Sequence, residues 1–153
     1  MQTLRWIGTA TFSAIGAHAP IRLEAGALGN HDTTEVSPYH RVLVTTPWAE
    51  TLFGSSEVLV RAKYLVNGTT IKPRSDGRVV TYVHLLFDHH QIVCCDGMWS
   101  ESYQPGAETL GSFDPETRAE IFDLMPELDK ADYLSARPSL RGYEARLLAP
   151  LIY

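Results

Sequence analysis

Cysteine is almost missing from this chain: there are two in 153 residues, and they are neighbours, Cys94 and Cys95. That excludes a disulfide framework and leaves no Cys-x-x-Cys spacing for a structural metal or a redox pair. Long apolar runs are missing as well, and nothing approaches the roughly 20 residues that cross a bilayer as a helix. Positive charge is scarce, with a formal net charge of -5, so neither nucleic acid nor a membrane surface is expected as an electrostatic partner. The segment Met1–Gly8 has neither the basic start nor the longer apolar stretch of a secretory signal, so no export address is expected at the front. No Gly-rich phosphate loop, Gly-x-Ser-x-Gly elbow, basic aromatic stripe, internal repeat or low-complexity segment is present, which removes the ordinary nucleotide and esterase readings.

What is present is enough apolar sequence, 44% of residues, to bury the core of one domain. Residues 1–103 read as short extended runs broken by turn residues, the pattern of a mainly β module. The runs are Leu4–Ile7, Ile21–Leu23, Arg41–Thr45, Val58–Val60, Val79–Phe87 and Gln91–Cys94, with turns at Gly29-Asn30, Asn67-Gly68, Asp76-Gly77 and Asp96-Gly97. Val79–Phe87 is the richest in β-branched and aromatic residues, and Gln91–Cys94 is expected to be its partner. Ala62, Leu65 and Val66 have the spacing of one helical turn closed at Asn67-Gly68.

Composition changes near residue 100. Residues 101–135 carry nine acids against Arg118 and Lys130, so this stretch alone is -7 and the remainder +2. Residues 104–153 read as an acidic helical tail. Asp114 is placed to cap a helix with Pro115 at its first position, Ile121, Phe122, Met125 and Leu128 recur at helical spacing, and Pro126 is expected to end it near Leu124. Leu140, Tyr143, Leu147 and Leu148 fit a helix face, while Tyr143, Ala145 and Leu147 also alternate as a strand does, and the pattern leaves both open.

The most specific local feature is Val36-Ser-Pro-Tyr-His-Arg-Val-Leu-Val44, a hydroxyl residue three positions before a histidine and leading into an apolar strand. A turn fixed by Pro38 can aim the Ser37 hydroxyl and the His40 imidazole at one peptide bond, and an imidazole near its usual range can protonate a departing amide nitrogen. The bland alternative is a surface turn with an incidental histidine. A second cluster, His84, His89, His90, Cys94 and Cys95, contains only metal-ligand residue types. Neighbours on a strand point to opposite faces, so one member of each adjacent pair is lost to any common metal, which argues against zinc. A cysteine nucleophile with His90 or His40 as base is the remaining chemical option, but Cys94 and Cys95 follow Ile92 and Val93 and read as core residues.

Taken in order, these segments resemble the Hedgehog/intein (Hint) domain of bacterial proteins, an all-β horseshoe that processes its own chain. Leu4–Gly8 and Pro20–His31 are similar to its early segments, and Val36–Val44 to the block holding a Thr-x-x-His or Ser-x-x-His pair. Glu57–Val60 with Tyr64–Ile71 resembles the middle. Val79–Ser102 resembles the closing block, in which a histidine matching His90 precedes an apolar run and an Asn-Gly that here reads Asp96-Gly97. Residues 114–128 and 137–148 resemble the tail that follows.

The resemblance implies a Hint-type β-horseshoe with a small helical C-terminal appendage, and peptide-bond cleavage by an N-to-S or N-to-O acyl shift. Ser37 and His40 would polarise and protonate the scissile amide, and His90, oriented by Asp88, would support them; His84 and His89 remain structural. No cofactor and no metal are implied. The family's attacking Cys or Ser heads its first block, and that block is not matched here, so the expectation is an incomplete Hint domain, inactive alone. The expected partners are then a separate N-terminal Hint fragment or a fused host protein, and open β edges invite a strand-swapped homodimer. The place where inteins end in His-Asn reads Trp99-Ser-Glu-Ser102, so the hedgehog-like thioester route is the closer analogue. An acidic residue some relatives carry seven positions before the block's histidine is Thr33 here, beside Asp32. The competing class is a non-catalytic interaction or structural module of a larger secreted or surface protein.

Overall fold

The computed structural model describes residues 2–105, 110–111, 113–125 and 134–152. Among the described residues nine strands make three antiparallel sheets: β1 (Leu4–Ser13) with β7 (Val79–Phe87); β3 (Thr34–Val36), β2 (Ile21–Leu23) and β6 (Ile71–Pro73) in that order; and β5 (Glu57–Arg61), β4 (Arg41–Thr45), β9 (Met98–Glu101) and β8 (Ile92–Cys95). The protein is mainly β, as its runs of β-branched residues imply. Among the described residues no helix is long and apolar enough to cross a membrane.

The four turn signals coincide with four glycines at positive φ, Gly29, Gly68, Gly77 and Gly97. At Asp96-Gly97 both residues are left-handed, φ 53° and 79°, the geometry of a two-residue hairpin whose twist matches its strands. Gly97 is required for a second reason: a Cβ there would lie 2.5 Å from the Gly29 carbonyl oxygen and 2.8 Å from the His31 ring. The loop carrying that carbonyl is tied by buried Asn30, whose amide donates to the carbonyls of Leu23, Glu24 and Asp32 and whose oxygen accepts from Leu28 N.

The partner expected for Val79–Phe87 is corrected. β7 pairs with β1 over its whole length, from Ser13 opposite Val79 to Leu4 opposite Phe87, and Ile92–Cys95 pairs instead with Met98–Glu101. The tight Asp96-Gly97 turn fixes the local hairpin, which leaves β7 for a long strand some 75 positions away, and β1 runs on to Ser13 rather than stopping at Ile7. The cysteines are corrected too: both are exposed. β8 is the sheet's edge strand, and Cys94 and Cys95 sit where it leaves the core for the turn, beyond half-buried Ile92 and Val93.

Two of the described helices are capped by side chains at their N-termini. The Thr46 hydroxyl accepts from Trp48 N ahead of α1 (Pro47–Phe53), a helix not foreseen from the sequence. The Asp114 carboxylate accepts from Thr117 N ahead of α2 (Pro115–Leu124), which ends where expected; Leu128 lies outside the described residues. Residues 142–148 form a helix, α3 (Gly142–Leu148), settling the ambiguous segment. The expected turn near residue 62 is a 3-10 turn, Ala62–Tyr64.

The helices after residue 103 enter the cores. Leu140, Ala145 and Leu148 share one buried cluster with Val42, Val58, Val60, Leu65 and Ile71. Ile121 of α2 and Met125 just after it close a second around Trp6, Leu86, Tyr103 and Phe113, whose rings meet edge-on or tilted at 5.6–6.2 Å. The Trp6 ring lies over Gly8, where a Cβ would be 1.7 Å away. Leu148→Ala therefore removes a fully buried side chain from the main core and should lower stability of the whole molecule by about 2–5 kcal/mol, read as a fall in the urea midpoint. An unchanged midpoint would mean that α3 folds apart from the β core.

Candidate functional site

The candidate site gathers around the start of β4. Pro38 and the Ser37 hydroxyl shape the turn before it: the His40 amide donates to Ser37 Oγ at 3.2 Å and to the Ser37 carbonyl at 3.1 Å. Ser37 and His40 are thus brought together as their spacing implied. The Ser37 hydroxyl, holding the amide on one lone pair, keeps its proton to donate. His40 is partly buried, and its imidazole has no hydrogen-bond partner among the described residues.

The next residue anchors the site to the opposite strand. The Arg41 amide donates to Glu101 Oε1 at 2.9 Å, and its guanidinium Nη1 donates to Glu101 Oε2 at 3.0 Å and to Gln104 Oε1 at 3.2 Å. Val42 pairs with Ser100 across β4 and β9, which is why Arg41 meets Glu101. The chain before β8 is pinned to the same place, since Ser102 N donates to the Gln91 carbonyl and Gln91 N donates to Ser102 Oγ. His90 is carried with it, and its Nε2 stands 3.3 Å from Glu101 Oε2.

His90 accepts a hydrogen bond at Nδ1, while its Nε2 makes the close approach to Glu101. The amide of Ala136, in the C-terminal segment, donates to Nδ1 at 2.9 Å. A hydrogen bond received at Nδ1 requires a lone pair there, so the geometry assigns the ring proton to Nε2, facing Glu101. Asp88 is therefore not the orienting residue; it is exposed and pairs with Arg5 at 3.2 Å. Asp32 and Thr33 belong to the β2–β3 loop, where the Asp32 amide donates to Asp96 and the Thr33 hydroxyl to Glu24. His89 is exposed on its turn.

Glu101 is the residue sequence reasoning missed. It is only 8% exposed. Burial pushes its carboxyl up, but the His90 hydrogen bond, the charges of Arg41 and His40 and the Arg41 amide outweigh that, and it lies below the ordinary glutamate value. His40 is held down, first by burial and then by the Arg41 and His90 charges, against the pull of Glu101. It is neutral at neutral pH. His84, on β7, lies close enough to feel both His40 and Glu101 and stacks edge-on against Tyr103 and Phe113 at 5.2–5.3 Å. Burial first, then the His40 charge, pushes it down to about 4.

Among the described residues no group of three or more His, Cys, Asp or Glu is placed to hold a metal ion. The chemistry available is that of a neutral, unpartnered imidazole beside a hydroxyl, backed by a charged, hydrogen-bonded carboxylate: proton transfer with one oxyanion-type donor.

The histidine shifts predict acid sensitivity. The unfolded chain protonates His84 near 6.5 and the fold only near 4, so the unfolded state gains as pH falls through that window. The loss reaches about 2–3 kcal/mol by pH 4 and vanishes above about 6.5. His84→Phe, which suits the ring cluster, should flatten urea midpoints between pH 7 and about 5, leaving the share of His40, with the lowered carboxylates, Glu101 among them, adding their own loss only toward pH 4 and below. A variant with the wild-type slope would refute the assignment.

No curated protein and no solved structure matches the chain. A family model described as Hint domain matches residues 1–107, which contain Ser37, His40, His90 and Glu101. The chain therefore belongs to the Hint-domain family, the self-processing kind.

Proposed function

We propose that this chain carries out the proton-transfer half of an acyl-shift self-cleavage at the Ser37–His40 site, with the attacking group coming from outside residues 1–153. The observation that most supports this is the His40 imidazole: partly buried, neutral, unpartnered among the described residues, and held by its own amide to Ser37. The two cysteines lie on the exposed edge of β8 and play no part.

In this reading a cysteine thiol or serine hydroxyl attacks the carbonyl carbon of the residue before it. Neutral His40 takes the nucleophile's proton as the S–C or O–C bond forms. The Ser37 hydroxyl donates to the carbonyl oxygen as it gains charge. As the C–N bond breaks, the imidazolium returns the same proton to the leaving nitrogen, so a thioester or ester and a free amine appear with no net change in protons. An external nucleophile then takes the acyl group and restores the thiol or hydroxyl. Only the neutral imidazole can begin this sequence, which gives the lowered His40 value a purpose. Without the attacking residue, residues 1–153 are inactive.

The test is to join a Cys-headed first block of a Hint domain to Gln2 and follow cleavage by mass spectrometry. His40→Ala should slow cleavage by roughly 10²–10⁴-fold and Ser37→Ala by roughly 10²-fold. A joined chain that stays intact under added thiol, or one whose cleavage ignores His40→Ala, would sink the proposal in favour of a non-catalytic module.

A further inference from the structure

We propose that the segment Ala136–Leu140, which lies beyond the family-matched residues, is a positioning element of the candidate site: the Ala136 amide keeps His90 Nδ1 unprotonated and so turns the ring's N–H toward Glu101. Its catalytic consequence rests on the acyl-shift reading above; the tautomer itself does not.

The segment is fixed by bonds on both sides of Ala136. Leu59 N donates to the Pro138 carbonyl at 2.8 Å, Leu140 N donates to the Leu59 carbonyl at 2.9 Å, and Ser139 forms a parallel bridge with Leu59. This stretch therefore lies along β5, the outer strand of the four-stranded sheet, and covers an otherwise open edge. The Arg137 guanidinium pairs with Glu57 on the same strand, and Ser135 Oγ donates to the Arg137 carbonyl at 2.7 Å. Leu140 then enters the main core ahead of α3. Anchored this way, Ala136 N reaches His90 Nδ1 at 2.9 Å, across 46 positions of sequence.

The energetics select one state of the ring. With the proton on Nε2, Ala136 N–H meets a lone pair and the imidazole N–H meets a carboxylate. With the proton on Nδ1, two N–H groups would face each other and a ring lone pair would face Glu101. The Ala136 hydrogen bond and the 3.3 Å approach of Nε2 to Glu101 would both become repulsive contacts between desolvated groups, and His90 is 3% exposed, so water does not relieve them. The segment thus does for His90 what an orienting carbonyl or carboxylate does for other functional histidines, with the donor and acceptor roles reversed. His90 in turn holds the carboxylate that binds Arg41, the neighbour of His40.

The test is nitrogen-15 NMR of the histidine rings in the full chain. Wild type and Ala136→Gly, which keeps the amide N–H, should show an unprotonated Nδ1 and a protonated Nε2 at His90. Ala136→Pro, which lacks the N–H, should shift the Nδ1 signal toward the protonated form. An Nδ1 signal unmoved by Ala136→Pro would overturn the proposal. Should that variant fail to fold, a scalar coupling across the hydrogen bond between the Ala136 amide and His90 Nδ1 in wild type decides: its presence supports the proposal and its absence overturns it. In the chain joined to a Cys-headed block, Ala136→Pro should slow cleavage about 10–100-fold relative to Ala136→Gly, the range for removing an orienting partner, and equal rates would overturn the positioning role. If even the joined chain with unaltered residue 136 is not cleaved, the acyl-shift reading has failed, while the ring signals still decide this one.

Discussion

The site depends on one buried carboxylate. An ionised glutamate taken out of water loses several kcal/mol of hydration, and it remains charged only where fixed donors replace that water. At Glu101 the donors are the Arg41 amide and the Arg41 guanidinium, with His90 Nε2 standing 3.3 Å from the carboxylate, so the start of β4 and the chain before β8 meet at one charge. The carboxylate converts a distant turn, a strand start and a hairpin entrance into one rigid group, because removing any partner leaves the rest with an uncompensated buried charge.

That requirement explains the arrangement around it. The β4–β9 pairing sets Arg41 against Glu101, the exchange of hydrogen bonds between Gln91 and Ser102 sets His90 beside both, and Tyr103 carries the chain into the aromatic cluster with Trp6, His84 and Phe113. The position before Arg41 is thereby defined: His40 projects from the same strand start, close enough to Glu101 to feel its charge but without being used as one of its donors. Among the described residues the His40 imidazole has no hydrogen-bond partner, while His90 is held at Nδ1 by the Ala136 amide, so under the proposed function one would move a proton and the other would hold the frame.

Much of this was legible in the sequence where the cause is local. Ser37-x-x-His40, the four glycine turns and the Asp114-Pro115 helix start are set by residues a few positions apart, and each lies where its pattern placed it. What was illegible depends on distant pairing. Glu101 stands at the head of a stretch with nine acids and counts there as surface charge; only the register against β4 shows that it is buried. Asp88 looked like the orienter of His90 because it is two residues away, yet the turn sends it outward to Arg5 and brings in an amide from residue 136. Cys94 and Cys95 follow apolar neighbours and read as core, but apolar composition does not reveal that β8 is an edge strand ending at a turn.

Carbon-13 NMR of the Glu101 side-chain carboxyl, followed through an acid titration of the folded protein, addresses that buried charge directly. The carboxyl should remain ionised below the ordinary glutamate value of 4.5, with its titration reported by the His90 Nε2 and Arg41 amide signals at the same midpoint. A Glu101 carboxyl that protonates at or above 4.5, independently of His90 and Arg41, would show that it is not the charge on which the site is built.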